Sequence, residues 1–521
     1  MLFHSPQFLF VFLPLALLGF FAVGRWGSQA LALLWLTCVS LFFYGYWNPA
    51  YLWLLGLSII VNYPLGTILM RRGTGGRALL IVGIAANLAL LGYFKYANFF
   101  LDAAGTALGA PWTLGTIVLP LGISFFTFEQ VAWLVESHQG KIPPTTFLRY
   151  CAFITNFPKL IAGPIVRPHE FLPQLQDAHW GRCRAENMSV GVTIFMIGLF
   201  KKVVLADTVA TLVSPVFAAS AAGASVTLLE AWGSLLAYAL QIYFDFSGYT
   251  DMAIGVARMF GITLPLNFAA PYRSVSIIDF WRRWHMSLSR LVRDYVYIPL
   301  GGNRCGTVRQ WINVLVTMAI VGLWHGAGWT FIAWGTLHGV FLVINHAWRA
   351  ARVRMGLANL GTWWSRSLAW MTTFAAVLVA WVFFRSENMP AALRFLGSLA
   401  GADGLSLPGM WQARWGDLLS GYGVQFDLQQ RLILLPSQWV RGSTWILALL
   451  CMALLLPTTQ QFLRHFRPAG DARENDVGPG IMGGLTWQPT VRWALGLAAL
   501  TSVTIVFLML SQQSEFLYFQ F

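Results

Sequence analysis

The chain has 521 residues, of which 57% are hydrophobic, 15% aromatic and only 10% charged. A soluble globular domain carries about a quarter charged residues, so this sequence lacks the polar surface to cover a water-soluble body of its size. The net charge of +14 does not point to nucleic acid, because no basic run with interleaved aromatics stands apart from the apolar stretches, and Lys and Arg flanking membrane spans face the anionic cytoplasmic leaflet.

In chain order, apolar stretches long enough to cross a bilayer as a helix are predicted near 6–24, 29–46, 50–69, 78–100, 114–136, 189–213, 229–257, 309–325, 328–348, 366–385, 443–463 and 491–511. The first has no basic residue ahead of it and further spans follow closely, which reads as a retained helix and not a cleaved signal. An apolar segment at 147–166 is broken by Pro158, Gly163 and Pro164 and reads as a short or re-entrant element inside the protein. The expected fold is all-α and polytopic, with about 11–13 transmembrane or re-entrant helices in a single domain over 1–521.

Basic residues orient the spans. Arg25 follows the first, Arg71, Arg72 and Arg77 lie between the third and fourth, and Lys141 follows the fifth, whereas the loops around Trp47 and from Asp102 to Pro111 are nearly free of Lys and Arg. This places the N-terminus outside the cytoplasm. Counting back from the C-terminus, the Arg349–Arg366 and Arg464–Arg473 loops fall inside, and the segment 386–441 and the final residues fall outside. The broken middle is not assigned by this rule. Five dispersed cysteines (Cys38, Cys151, Cys183, Cys305 and Cys451) without a CxxC argue against a disulfide framework or a metal site. No internal repeat is evident.

The chemistry gathers between Gln241 and Asn345. QIYFDFSGYTDMA places Asp245 and Asp251 inside an apolar helix. A buried carboxylate is costly, so each either serves function or is tied to a nearby Arg or helix terminus as a structural group. FWRRWHMSLSRLVRDY, taken as a helix, carries Arg282, Arg283, Arg290 and Arg293. These anchor an interfacial helix or receive a phosphate-bearing substrate at a cytoplasmic opening. GLWHGAGWTFIAWGTLHG puts His325 in a Trp- and Gly-rich break between two spans, with His338 beyond. An imidazole there suits proton transfer near neutrality, and the structural alternative is a histidine bonded to a neighbouring carbonyl. The chain has no GxSxG elbow, HExxH, Walker lysine or dinucleotide fingerprint. Direct acyl transfer from an activated thioester to a hydroxyl needs mainly a base and oxyanion donors, which these residues permit.

The runs FWRRWHMSLSRLVRDYVYIPLGGNR and GLWHGAGWTFIAWGTLHG resemble the membrane-bound O-acyltransferase family, nearest its bacterial polysaccharide branch of alginate- and cellulose-acetylating proteins. MLFHSPQFLFVFLPL, LGYFKYANFF, LPLGISFFTFE, LIAGPIVR, YFDFSGYTDMAIG and the terminal FLYFQF extend the likeness over nearly the whole chain. The resemblance implies O-acetyl transfer from cytoplasmic acetyl-CoA, with no bound cofactor or metal, across the inner membrane through a central tunnel. It further implies an exported polysaccharide as acceptor, the synthesis machinery of that polysaccharide as a neighbour, and a periplasmic SGNH-type partner. His325 maps to the family's principal catalytic histidine and His285 to its companion. His338, Trp324, Asn303, Asp245, Asp251, Arg282 and Arg283 are carried as supporting or substrate-binding candidates. Acylation of a cell-wall polymer, lipid or protein by the same fold, or a proton-coupled transporter, are the alternatives. The aromatic tail 516–521 is expected to help hold the exported partner.

Overall fold

The computed structural model describes residues 1–110, 112–177, 180–356, 362–427, 436–470, 484–510 and 517. The Gly/Pro/Asp-rich loop near 468–484 and the tail 516–521 fall almost wholly outside the described residues.

The N-terminal third folds as α1 (Leu13–Trp26), α2 (Gln29–Gly45), α3 (Leu52–Arg72), α4 (Arg77–Leu91), α5 (Ala97–Leu108) and α6 (Ile123–His138). The broken segment forms α7 (Phe147–Thr155) and α8 (Phe157–Leu160), followed by α9 (Pro168–Phe171). Next come α10 (Ala185–Phe200), the short α11 (Asp207–Ala210) and α12 (Ser214–Ala221), and the long α13 (Leu228–Met259). Two short helices, α14 (Ile277–Arg283) and α15 (Met286–Val292), precede the hairpin of α16 (Thr307–His325) and α17 (Trp329–Arg354). The chain continues with α18 (Trp363–Arg385), α19 (Met389–Leu399), α20 (Gln412–Leu419), α21 (Pro436–Leu455), α22 (Thr459–Phe462) and α23 (Val491–Leu510). A pair of three-residue parallel strands, Ser406–Pro408 with Gln425–Asp427, lies between α19 and α21. Among the described residues the fold is thus all-α apart from this pair.

Seven described helical stretches are long and apolar enough to cross a membrane, and Gln29–Gly45 and Val440–Leu455 are shorter apolar helices. Two expected elements differ. The segment 114–136 is not helical up to Pro120, and its helix starts only at Ile123 after Gly122 (φ +71°). The run 280–297 is not one helix: it breaks at Trp284 and His285.

α13 is the core of the molecule, buried along almost its whole length. Close approach to α10 is set by glycine: a Cβ at Gly198 would stand 2.6 Å from the Gly248 carbonyl oxygen, and one at Gly248 2.7 Å from that of Gly198. Small residues that let helix backbones touch are the usual basis of packing in membranes. The contact brings consecutive lysines of α10's final π-turn against the two carboxylates of α13. Lys202 Nζ lies 2.9 Å from Asp245 and Lys201 Nζ 2.6 Å from Asp251. Asp245 also accepts the backbone N–H of Leu517 at 3.0 Å. Asp251 accepts from the Thr459 hydroxyl (2.6 Å) and the Gln460 amide (2.9 Å).

Both carboxylates are therefore tied to lysine, and not to the arginine or helix end that the structural reading of the sequence suggests. Removing one member of a buried pair leaves an uncompensated charge and costs about 3–5 kcal/mol. Asp251→Ala is thus expected to lower the thermal unfolding midpoint of the detergent-solubilised protein strongly, with activity falling only in step with the folded fraction. A well-folded but inactive Asp251→Ala protein would return this carboxylate to the chemistry.

Candidate active site

α16 and α17 cross at Gly322 and Gly335, where a Cβ on Gly335 would meet the Met318 carbonyl oxygen at 2.2 Å. Only glycine lets the hairpin close so tightly, and the closure sets His325, the last residue of α16, at its tip. The final carbonyls of a helix lack intrahelical partners. Here Lys95, in the π-turn Gly92–Tyr96 between α4 and α5, supplies them: Nζ donates to the carbonyls of Trp324 (2.5 Å) and His325 (3.1 Å). A cation at a helix C-terminus is also favoured by the helix dipole.

The His325 imidazole is held on several sides by aromatic rings. Trp324 lies 4.9 Å away between centroids, Trp334 stands perpendicular at 5.0 Å, and Phe384 is at 5.2 Å. Trp324 is itself stacked on Phe128 at 5.3 Å. Rings packed this way fix the imidazole's orientation. His325 is 5% exposed, and it lines a cavity of about 170 Å³ together with Lys95, Trp324, Pro120, Phe125 and Ala162. Trp47 and Leu119, both exposed, form its outer rim. Pockets that hold drug-sized ligands measure roughly 300–1,000 Å³, so this is a small space.

Behind His325, with ring centroids 6.4 Å apart, stands the fully buried His285. Its backbone is left-handed (φ +45°), a conformation uncommon outside glycine and costing of order 1–3 kcal/mol. Asn267 holds it there. The Asn267 carbonyl accepts from Met286 N–H (3.0 Å), and its side-chain oxygen accepts from Ser287 N–H (3.2 Å) and the Ser287 hydroxyl (2.9 Å). With two donors already on it, Asn267 Oδ1 is an acceptor for His285 Nδ1, 3.1 Å away. That assigns the proton to Nδ1 and leaves Nε2 as the lone-pair nitrogen.

The other expected site residues divide. His338 is fully buried one aromatic ring beyond, across Trp334 (5.0 Å), and its Nδ1 accepts from the Trp281 indole N–H at 3.3 Å. Asn303 does not join the site: it is exposed, accepts from the Tyr297 hydroxyl at 2.7 Å, and lies before the start of α16. A 19-residue helix is about 27 Å long, and His325 is at its far end. Three of the four arginines are neutralised, Arg283 by Asp279 (2.8 Å), Arg290 by Glu170 (3.4 Å) and Arg293 by Asp294 (2.7 Å). Arg282 is exposed and makes no ion pair among the described residues. Near them His169 Nδ1 meets Glu136 at 2.7 Å, and that hydrogen bond holds the imidazole's pKa above its ordinary value. No group of three metal-ligating side chains occurs among the described residues.

Sequence reasoning missed Lys95 and Asn267. Lys95 carried a signal, a lone cation inside the apolar stretch 78–100, and an intramembrane charge is a functional candidate by default. Asn267 carried none, because its role exists only once α14 and α15 fold back onto it.

A family model described as the membrane-bound O-acyltransferase family matches residues 30–389. The peptidoglycan O-acetyltransferase of Helicobacter pylori is 41% identical over 435 residues, 78% of this chain and 81% of the relative. The probable alginate O-acetylase of Pseudomonas putida is 36% identical over 532 residues, spanning 100% of both chains. A teichoic acid D-alanyltransferase of Streptococcus thermophilus is 32% identical over 281 residues, 51% of this chain and 68% of the relative.

Proposed function

This chain belongs to the membrane-bound O-acyltransferase family, and from that premise we propose that it moves acetyl groups from cytoplasmic acetyl-CoA to an exported polysaccharide, with His325 as the base. The observation that carries this reading is the cavity of about 170 Å³ whose floor is His325, with the Lys95 ammonium on its wall. Its size favours acetyl over a fatty acyl group. An acceptor hydroxyl entering past Trp47 and Leu119 gives its proton to His325 as its oxygen attacks the thioester carbonyl. The tetrahedral oxyanion takes a hydrogen bond from Lys95, and collapse expels the thiolate of CoA.

Lys95 suits that part. An ammonium has three N–H donors. Two are spent on the carbonyls of Trp324 and His325, and the third has no acceptor among the described residues, while Lys95 lines the cavity. A preorganised donor facing the developing oxyanion commonly lowers the barrier to acyl transfer more than any other single effect. His285, oriented by Asn267, lies on the side of His325 from which α15 leads to the basic segment. In this reading it takes and returns the proton as donor and product exchange.

The acceptor is placed with the alginate-type glycans because that similarity runs the full length of both chains. The higher identity to a peptidoglycan O-acetyltransferase favours a second reading, acetylation of the cell-wall glycan. An SGNH-type exported protein as relay, a bacterial inner-membrane location, both termini on the exported side and an external segment 386–441 complete the proposal. A transporter finds no support, since Asp245 and Asp251 are spent on lysines. The purified protein is expected to release CoA from labelled acetyl-CoA and to pass label to alginate or peptidoglycan fragments with an SGNH-type partner. Label passed only to lipid would overturn the assignment of acceptor.

A further inference from the structure

Away from the cavity of His325, with which it shares no lining residue, α1, α10 and α23 leave an apolar groove of about 480 Å³, walled by Leu13, Leu17, Phe21, Phe195, Met196 and Ile505. It follows the first helical stretch, the π-turn Phe8–Phe12 and α1, from Leu9 to Phe21, about 18 Å at 1.5 Å per residue. That is close to the depth of one leaflet, half of a hydrocarbon core about 30 Å thick. Cys183 forms part of its wall. The residues on either side of it, Arg182 and Arg184, line a second cavity of about 180 Å³, shared with Gln174, Asp177, Trp180 and Asn187. An apolar groove and a cationic pocket thus meet on three consecutive residues.

Within the cationic pocket Trp180 is 7% exposed, yet its indole N–H has no acceptor among the described residues. Its five-membered ring faces Gly261, another wall of the same cavity, whose Cβ position lies 3.8 Å from Nε1. A buried donor left unpaired is costly, and an anionic oxygen bound there satisfies it. Arg184 approaches Asp177 only to 3.6 Å, with both of these side chains about half exposed, and Arg182 is exposed as well, so solvent and a phosphate can reach both guanidinium groups. The Asp177 carboxylate on the same cavity disfavours a dianion and tolerates a singly charged phosphodiester.

We propose that the two cavities form one binding site for an anionic phospholipid, with an acyl chain in the α1–α10–α23 groove and its phosphodiester on Arg182, Arg184 and the Trp180 N–H. Guanidinium groups are suited to phosphate oxygens, and the continuous groove selects a lipid over a free anion. Such a lipid spans the seam between the first and last described helices and α10.

Native mass spectrometry of the full chain, loaded with equimolar phosphatidylglycerol and phosphatidylcholine of identical acyl chains, tests this. The wild type is expected to retain phosphatidylglycerol roughly tenfold better. Arg182→Gln with Arg184→Gln should erase the preference, and Met196→Trp, which fills the groove, should reduce retention of both lipids. Asp177→Asn should strengthen phosphatidylglycerol retention, a gain that misfolding does not produce. Equal retention of the two lipids by the wild type, or an unchanged preference in the double Gln variant, would overturn the proposal. Displacement by inorganic phosphate or by deacylated glycerophosphoglycerol would also overturn it, reducing the site to an anion pocket.

Discussion

Replacing His325 by alanine is expected to lower acetyl transfer by roughly 100- to 10,000-fold, the range a positioned general base contributes. The fold should survive, because the imidazole lines a cavity and its neighbours keep other ring contacts, Trp324 with Phe128 and Trp334 with Phe384. The measurement is turnover of labelled acetyl-CoA by monodisperse protein of unchanged unfolding temperature. His285→Ala should cost less, since that ring stands 6.4 Å behind. Normal turnover in His325→Ala, with turnover lost in His285→Ala, would move the base to His285.

Lys95→Met is expected to lower kcat by roughly 100- to 1,000-fold, as loss of one oxyanion donor does, with KM for the donor nearly unchanged. Methionine is close in length and apolar, so the substitution removes the ammonium with little change in packing. The helix end it caps loses two acceptor partnerships, and a modest fall in unfolding temperature follows. Lys95→Arg keeps the charge and the carbonyl contacts, and restores stability. If Lys95 only positioned His325, the arginine variant would recover turnover along with stability. Stable but slow Lys95→Arg protein points instead to the third N–H and its place beside the reacting carbonyl. Wild-type turnover in Lys95→Met would remove Lys95 from the chemistry while leaving His325 to be judged on its own variant.

Apolar runs long enough to cross a bilayer made most spans legible, and the prolines of 147–166 announced the broken α7–α8 pair. What failed was local pattern where tertiary partners decide. The segment 114–136 is apolar enough to read as a span, yet it is not helical up to Pro120, where it borders the cavity of His325. FWRRWH reads as continuous helix, but Asn267, 18 residues before His285, captures the backbone of Met286 and Ser287 and turns His285 left-handed. The site was legible in its histidines through the motifs around them. Asp245 and Asp251 were legible as buried charges in need of a partner, but the partner was not, because Lys201 and Lys202 reach them only when Gly198 and Gly248 bring α10 against α13. Lys95 reads as an isolated charge until the α16 carbonyls arrive beneath it.

The lysine–carboxylate pairs of α10 and α13 also impose an order of assembly. Lys202 precedes Asp245 by 43 residues and Lys201 precedes Asp251 by 50. Each ammonium thus leaves the ribosome before its counter-ion, and α10 must wait at the insertion machinery, or at the bilayer surface, until α13 emerges. The Leu517 amide that completes the Asp245 shell follows 272 residues later, roughly 15 to 55 s at 5–20 residues per second. Through that interval the central helix sits in the membrane with both ion pairs made and an acceptor site on Asp245 open, while the Thr459 and Gln460 donors to Asp251 arrive 208 and 209 residues after it, so the core closes last from the C-terminal side of the chain.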